Sequence, residues 1–332
     1  MKHLRIIWIA AAVTVLGPSA AAQKVGTTSM QFLKVMPTAR GTAMGEAYST
    51  IAAGAEAVFW NPGGVALLER PELSLTYIDW IFDTRQGALS GAFSLAQWGV
   101  VGLQVQYVDY GVFDEAIANP ARLTGRQFHP FTYLVGLTYS RSLTDRFSTG
   151  LTVKYAHESL FDDASVSVTS TQGLSETVNT YADAVLFDFG LVYSTGYRSV
   201  VIAASVQNFG ASIVYAKEAS PAPMLFRLGI GADILSPEGL LPGSEDHRVS
   251  GAVDLFQPND YTQQLHAGLE YEFAHKFALR AGYKFNYDFE GFTAGLGFRQ
   301  EISAMMISFD YSYGSLGMYL GKVHRISLGA GL

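Results

Sequence analysis

Past residue 71 the chain alternates. Val101, Leu103, Val105 and Tyr107 fall on one side of an extended backbone, and Gln104 and Gln106 on the other. Phe131, Tyr133, Val135, Leu137 and Tyr139 oppose Thr132, Thr138 and Ser140. Phe277, Leu279, Tyr283 and Phe285 oppose Arg280, Lys284 and Asn286, and Met305, Ile307, Phe309, Tyr311 and Tyr313 oppose Ser308, Asp310 and Ser312. Successive side chains of a strand leave opposite faces, so a period of two predicts strands. About fourteen such segments are legible. They span residues 72–82, 87–97, 99–109, 130–141, 146–157, 182–194, 199–209, 223–234, 247–256, 262–273, 276–287, 290–299, 303–313 and 322–332.

One face of these strands is Leu, Val, Phe and Tyr. The other is Gly, Ser, Thr and Gln with scattered charge. In a transmembrane barrel the apolar face meets lipid and the small polar face lines the lumen, with aromatic residues near the strand ends. The strand lengths match the ~9–11 residues a bilayer needs. Tight joints at Gln97-Trp98-Gly99, Leu143-Thr144-Asp145, Thr195–Arg198 and Ala274-His275 alternate with long stretches at 110–129, 158–181 and 210–222. That is the parity of a barrel whose two ends are periplasmic. Residues 235–246 are long for a periplasmic turn and 257–260 short for an outer loop, which leaves the strand count open there. The fold read from the pattern is all-β: a transmembrane antiparallel β-barrel of about fourteen strands, residues 71–332.

Composition sharpens this. Charged residues make up 15% of the 332 and aromatic residues 13%. A soluble all-β protein is the competing class, but its exposed faces carry more Lys and Glu. No segment of the mature chain offers the ~18 apolar residues of a spanning helix. The net charge of -7 disfavours a nucleic-acid partner, since phosphate binding needs a basic face. There is no cysteine, hence no disulfide, thiolate metal site or lipoprotein acylation point.

Two segments precede the strands. Residues 1–22 have a basic start (Lys2, Arg5), an apolar run from Ile6 to Leu16 and small residues at Ala20-Ala21-Ala22, the plan of a cleaved secretory signal peptide. Export places the chain in the envelope, and the strands place it in the outer membrane of a Gram-negative bacterium. Residues 23–70 lack strand rhythm. Their small residues allow a short helix or two, which Gly45 and Gly54 weaken. Asn61-Pro62 then forces the chain out of helix, and Gly63-Gly64 frees it to turn. We read this segment as a partly helical plug in the lumen, with Arg40, Met44, Gly45, Trp60, Asn61, Pro62, Gly63 and Gly64 as candidate plug and hatch residues. On spacing alone, a plain loop leading into the first strand fits as well.

No catalytic constellation is present. G-x-S-x-G, H-E-x-x-H and the P-loop are absent; His157-Glu158 begins like a zinc motif, but position 161 is Phe. Asp162-Asp163 and Glu245-Asp246 read as solvated loop charge, and no cofactor or metal is expected. Lys154, Asp188, Arg227, Asp254, Arg280, Lys284 and Asp310 fall on lumen positions. Buried unpaired they are costly, so ion pairs binding barrel to plug are expected ahead of a transport pathway.

Short pieces along nearly the whole mature chain carry a resemblance. They include Ala39-Arg40 with Ala43-Met44-Gly45, Phe59-Trp60-Asn61-Pro62, Asp188-Phe189-Gly190, Gln207-Asn208-Phe209-Gly210, Leu279-Arg280-Ala281-Gly282-Tyr283 and His324-Arg325-Ile326-Ser327-Leu328. Taken together the chain resembles the PorV/PorQ family, among the FadL-like fourteen-stranded barrels. Its departures are Gly63 where that family usually has Ala, and a non-aromatic final residue, Leu332. The resemblance implies a non-enzymatic adaptor or shuttle of type IX secretion, with secreted cargo or other type IX secretion proteins and the outer-membrane lipid as partners. The FadL side of the fold implies an alternative: a transporter of long-chain fatty acids or other hydrophobic molecules, with a hydrophobic ligand in the lumen and a hatch at Asn61-Pro62.

Overall fold

The alternation closes on itself. In a computed structural model, which describes residues 25–118, 121–169 and 175–332, fourteen strands form one antiparallel ring. They are β1 (Glu72–Asp79), β2 (Arg85–Ser94), β3 (Val100–Asp109), β4 (Phe131–Thr144), β5 (Phe147–Ser159), β6 (Tyr181–Ser194) and β7 (Val201–Gly210). The second half is β8 (Leu225–Ser236), β9 (His247–Pro258), β10 (Gln264–Phe273), β11 (Phe277–Phe285), β12 (Phe292–Ile302), β13 (Met305–Ser315) and β14 (Lys322–Gly331). Each pairs with its neighbours in the chain, and β1 closes on β14 from Glu72↔Gly331 to Asp79↔His324. Closure leaves the ring without an edge strand, the condition for a β-protein in hydrocarbon.

The residues around 235–262 hide no further spanning strand. Leu241–Pro242 folds back parallel to Leu235–Ser236 as a small flap on the β8–β9 connection. The three long loops are not featureless either: each projects as a two-stranded hairpin, Phe113–Ala118 with Ala121–Phe128, Ser165–Thr169 with Ser175–Asn179, and Ile213–Tyr215 with Glu218–Ser220.

The wall is inverted relative to a soluble protein. Leu75, Leu137 and Leu279 are 55%, 59% and 62% exposed, while Thr76, Thr138 and Arg280 beside them are buried. Only a lipid exterior makes that distribution favourable, because each outward Leu left in water forfeits about 1.5–3 kcal/mol. The buried core therefore lies inside the ring. It consists of the N-terminal segment and the residues it touches: Met36, Met44, Tyr48, Phe59, Trp60 and Val65 pack with Ala88, Val100, Leu225 and Phe256 of the wall.

That segment runs the length of the lumen. It starts at the long-loop end, where Ser29 N–H donates to Pro221 O at 3.1 Å and Lys34 pairs with Asp260 at 2.5 Å. It leaves at the other end, where Leu332 N–H donates to Pro71 O at 2.8 Å. Between lie α1 (Ala39–Ala43), a 3-10 turn at Gly54–Glu56, α2 (Ala57–Trp60) and a second 3-10 turn at Pro62–Leu67. Helices this short are unstable alone; here the barrel holds them. The predicted leader, residues 1–22, lies outside the described residues.

Candidate functional site

Short helices expose more backbone N–H and C=O groups than they satisfy, and a buried orphan is costly. The wall supplies the partners. Ala39 N–H donates to Ser327 Oγ (3.0 Å), Thr293 Oγ1 donates to Ala43 O (3.0 Å), Gln104 Nε2 to Val58 O (3.2 Å), Gln207 Nε2 to Phe59 O (2.8 Å) and Ser205 Oγ to Trp60 O (3.3 Å). Asp254 accepts from the N–H groups of Tyr48 and Ser49 at 3.2 and 3.0 Å. The small polar inner face thus serves as a cap set for one segment.

Asn61 and its neighbours form the tightest of these joints. Asn61 is fully buried and extended (φ -155°, ψ 107°), as expected for the residue before Pro62. Its Nδ2 donates to Leu191 O of β6 (3.0 Å) and to Ser49 O (3.2 Å), and its Oδ1 accepts from Gly63 N–H (3.0 Å). Ser148 Oγ donates to Gly63 O at 2.8 Å. Gly150 and Gly190 leave the room for this: a Cβ on Gly150 would strike Pro62, and one on Gly190 would strike Asn61 Oδ1 and the Pro62 ring. Gly64 turns back under the segment, its N–H donating to Asn61 O at 2.9 Å.

Arg40, Met44, Gly45 and Trp60 anchor elsewhere. Arg40 makes a two-pronged bond to Glu270 at 2.9 and 2.7 Å. Met44 lies against Gly268. Gly45 has φ 64° and rests on the wall, where a Cβ would stand 2.7 Å from Tyr283 N; both facts call for glycine. Trp60 Nε1 donates to Thr38 Oγ1 (2.9 Å), and its ring meets Tyr48 edge-on at 5.3 Å.

The lumen charges pair. Arg280 sits between Glu270 (2.5 Å) and Asp310 (2.6 Å); Lys284 bridges Glu46 and Glu290, each at 2.5 Å; Arg227 reaches Glu46 at 3.2 Å; Lys154 reaches Asp188 at 2.7 Å. Burial disfavours the Glu46 carboxylate, but Lys284 and Arg227 outweigh it and hold the group well below its usual range. Glu56 goes the other way. Burial and the neighbouring Asp310 carboxylate raise it to about 7, against the pull of Arg40 and a hydrogen bond from Tyr48. All seven lumen charges singled out in the sequence lie inside. Six are paired, and Asp254 caps the segment. Glu46 and Glu270, which organise the network, carry no sequence signal beyond an inward position and a lone acid in a small-residue run.

Two hollows flank α1. One of about 220 Å³ lies at the long-loop end, lined by residues including Thr42, Glu46, Lys284 and Arg325. The other, about 500 Å³, opens at the short-turn end and is lined by residues including Arg40, Tyr48, Glu56 and Asp310. The apolar hollow of about 610 Å³ lies outside the lumen, on the lipid face around Ile230, Gly251, Leu269 and Tyr283. Among the described residues no group of three or more metal-ligating side chains occurs.

A comparison of the sequence with protein families finds the type IX secretion system membrane protein PorP/SprF family over residues 128–330, more than half of the chain. The chain belongs to this family. The match runs from β4 to β14 and leaves the N-terminal segment and β1–β3 outside it. It corrects the sequence resemblance: the family is PorP/SprF, not PorV/PorQ. The physical reason is visible in the pieces that carried the resemblance. Gly190 and Gly282 are docking points for the segment, and Arg280 is its ionic anchor. Such positions report a filled fourteen-stranded barrel and do not separate one branch of such barrels from another. No curated protein matches the sequence.

Solved structures agree on the fold. The Pseudomonas putida toluene transporter TodX superposes with a TM-score of 0.54 at 14% identity, covering 87% of this chain and 95% of that one. The CymD monoaromatic hydrocarbon channel gives 0.53 at 12% identity, covering 89% and 96%. At such identities the likeness is one of fold. The PorP/SprF chain is thus an outer-membrane β-barrel that shares its fold with these two proteins and is associated through its family with type IX secretion.

Proposed function

We propose that this PorP/SprF protein is a non-enzymatic adaptor of type IX secretion. Its barrel is closed by its own N-terminal segment, and its outer loops engage secreted cargo or other secretion-system proteins. The observation that carries this reading is the segment's attachment on opposite sides of the lumen, to β5–β6 through Asn61–Gly64 and to β10–β13 through Arg40 and its ion network. A lumen filled and bolted in this way leaves the loop hairpins as the working surface. Arg40, Met44, Gly45, Trp60, Asn61, Pro62, Gly63 and Gly64 act in this reading as the lock of the plug.

The fold shared with TodX and CymD favours a second reading, passage of small hydrophobic molecules. Two features weigh against it. Strand β3 is paired along all ten residues with both β2 and β4, so the wall has no gap beside it. The hollows of the lumen are lined by charge, whereas the apolar hollow faces lipid. The experiment that separates the two is cross-linking in intact cells followed by gentle solubilisation, with and without the 113–128 hairpin. The adaptor reading expects secretion-system or cargo proteins to copurify and to be lost with the hairpin. Unchanged surface cargo in a deletion strain, together with impaired growth on a hydrophobic carbon source, would establish the transporter instead.

A further inference from the structure

The hollow at the long-loop end has a charge its surroundings do not balance. Arg325 of β14 lines it and is itself only 6% exposed. Its guanidinium lies over the ring of Trp80 at 5.3 Å, and Nε has no hydrogen-bond partner. Among the described residues no carboxylate lies within ion-pair distance of it. The acids nearby are committed: Asp260 to Lys34, Glu46 to Lys284 and Arg227, and Glu290 to Lys284. Four cations thus face three carboxylates. Removing a guanidinium from water without a partner is unfavourable, and an Arg whose nearest companion is an aromatic ring keeps N–H groups free for an entering anion.

We propose that this hollow binds a small monocarboxylate, with Arg325 as the residue that grips the carboxylate edge-on and Trp80 as the plate that holds Arg325 in place. The charge sets the ligand class. The surplus is a single positive charge, which one carboxylate neutralises; a phosphate dianion would overshoot it beside Glu46 and Glu290, which line the same hollow. The size sets the rest. About 220 Å³ holds the equivalent of about seven waters at ~30 Å³ each, so an acid of a few carbons fits and a long acyl chain does not. Thr42 and Glu46 of the N-terminal segment also line the hollow, so an occupant touches barrel and plug together. The site does not depend on the adaptor reading.

The test uses the full-length protein in detergent and the fluorescence of Trp80. Of the other tryptophans of the described chain, Trp60 is fully buried within the plug itself and Trp98 lies at the far end of the barrel. The probe is 3-bromopropionate, a small carboxylate whose bromine quenches indole, with 3-bromopropanol as its uncharged counterpart; the chain has no cysteine for either to alkylate. Saturable quenching by the acid and only linear quenching by the alcohol is expected. Trp80→Phe should abolish the saturable part. Arg325→Gln should weaken half-saturation by at least about tenfold, the loss of one charge-assisted contact, and Arg325→Lys should weaken it less. Acetate should compete with the probe and inorganic phosphate should not. Linear quenching by both compounds in the wild-type protein overturns the site whatever the variants do. Better competition by phosphate than by acetate overturns the ligand class.

Discussion

The two flanks of the N-terminal segment are held by different physics. Toward β5 and β6 the contact is neutral and close: Asn61, Pro62 and Gly63 fit onto Gly150, Gly190 and Leu191, with hydrogen bonds to backbone carbonyls. Toward β10–β13 it is ionic and reaches further: Arg40, Glu270, Arg280 and Asp310 form one chain of ion pairs, and Glu46 with Lys284 forms a second set. A glycine joint specifies position to within a methyl group and costs little desolvation. An ionic joint tolerates small displacements but leaves an expensive charge whenever one partner is removed. The first fixes where the plug sits; the second sets what it costs to leave.

The ionic flank is where a single substitution should have the largest effect. Arg280→Met strands Asp310 and half of the grip on Glu270, and breaking a buried pair in this way costs about 3–5 kcal/mol. The temperature at which the folded band converts to the unfolded band in a heat-modifiability gel should fall more in this variant than in any other named below. From the glycine side, Gly190→Ala drives a methyl into Asn61 and the Pro62 ring, an overpacking worth about 1–3 kcal/mol. It should displace the plug tip while the wall stays paired, so antibiotic uptake rises with little change in gel mobility. Asn61→Ala removes the donor to Leu191 O and Ser49 O, a loss of about 1–3 kcal/mol for the buried acceptors left behind. Permeability should rise here too, and unchanged uptake together with unchanged mobility would count against any role for Asn61 in the joint.

The smallest effect is that of pH. Glu56 is raised to about 7 by burial and by Asp310. Its proton is bound more tightly in the folded state, so the folded state is favoured at low pH. Stability should therefore decline as pH climbs from the ordinary carboxylate range to about 7. Glu56→Gln should flatten that part of the profile, measured as conversion temperature against pH; a profile identical to wild type would show that Glu56 does not titrate there.

Much of this fold was legible in advance. Period-two runs such as Val101–Tyr107 and Met305–Tyr313 mark the strands because the side-chain repeat of a strand needs no tertiary information. The break at Asn61-Pro62 is local chemistry and stands where the sequence put it. What the sequence withheld is non-local. Glu46 and Arg227 are 181 residues apart, and nothing near either names the other. The hairpins in the long loops escaped because strands of three to eight residues with mixed polarity leave no periodic run. The family branch escaped because glycine and arginine positions that seat a plug recur wherever one is seated.

The central claim is that the N-terminal segment closes the lumen. It is tested most directly by planar-bilayer conductance of the purified barrel beside a variant lacking residues 39–64. The intact protein should show no steady conductance and the variant stable open channels. Steady conductance of equal size from both would contradict it.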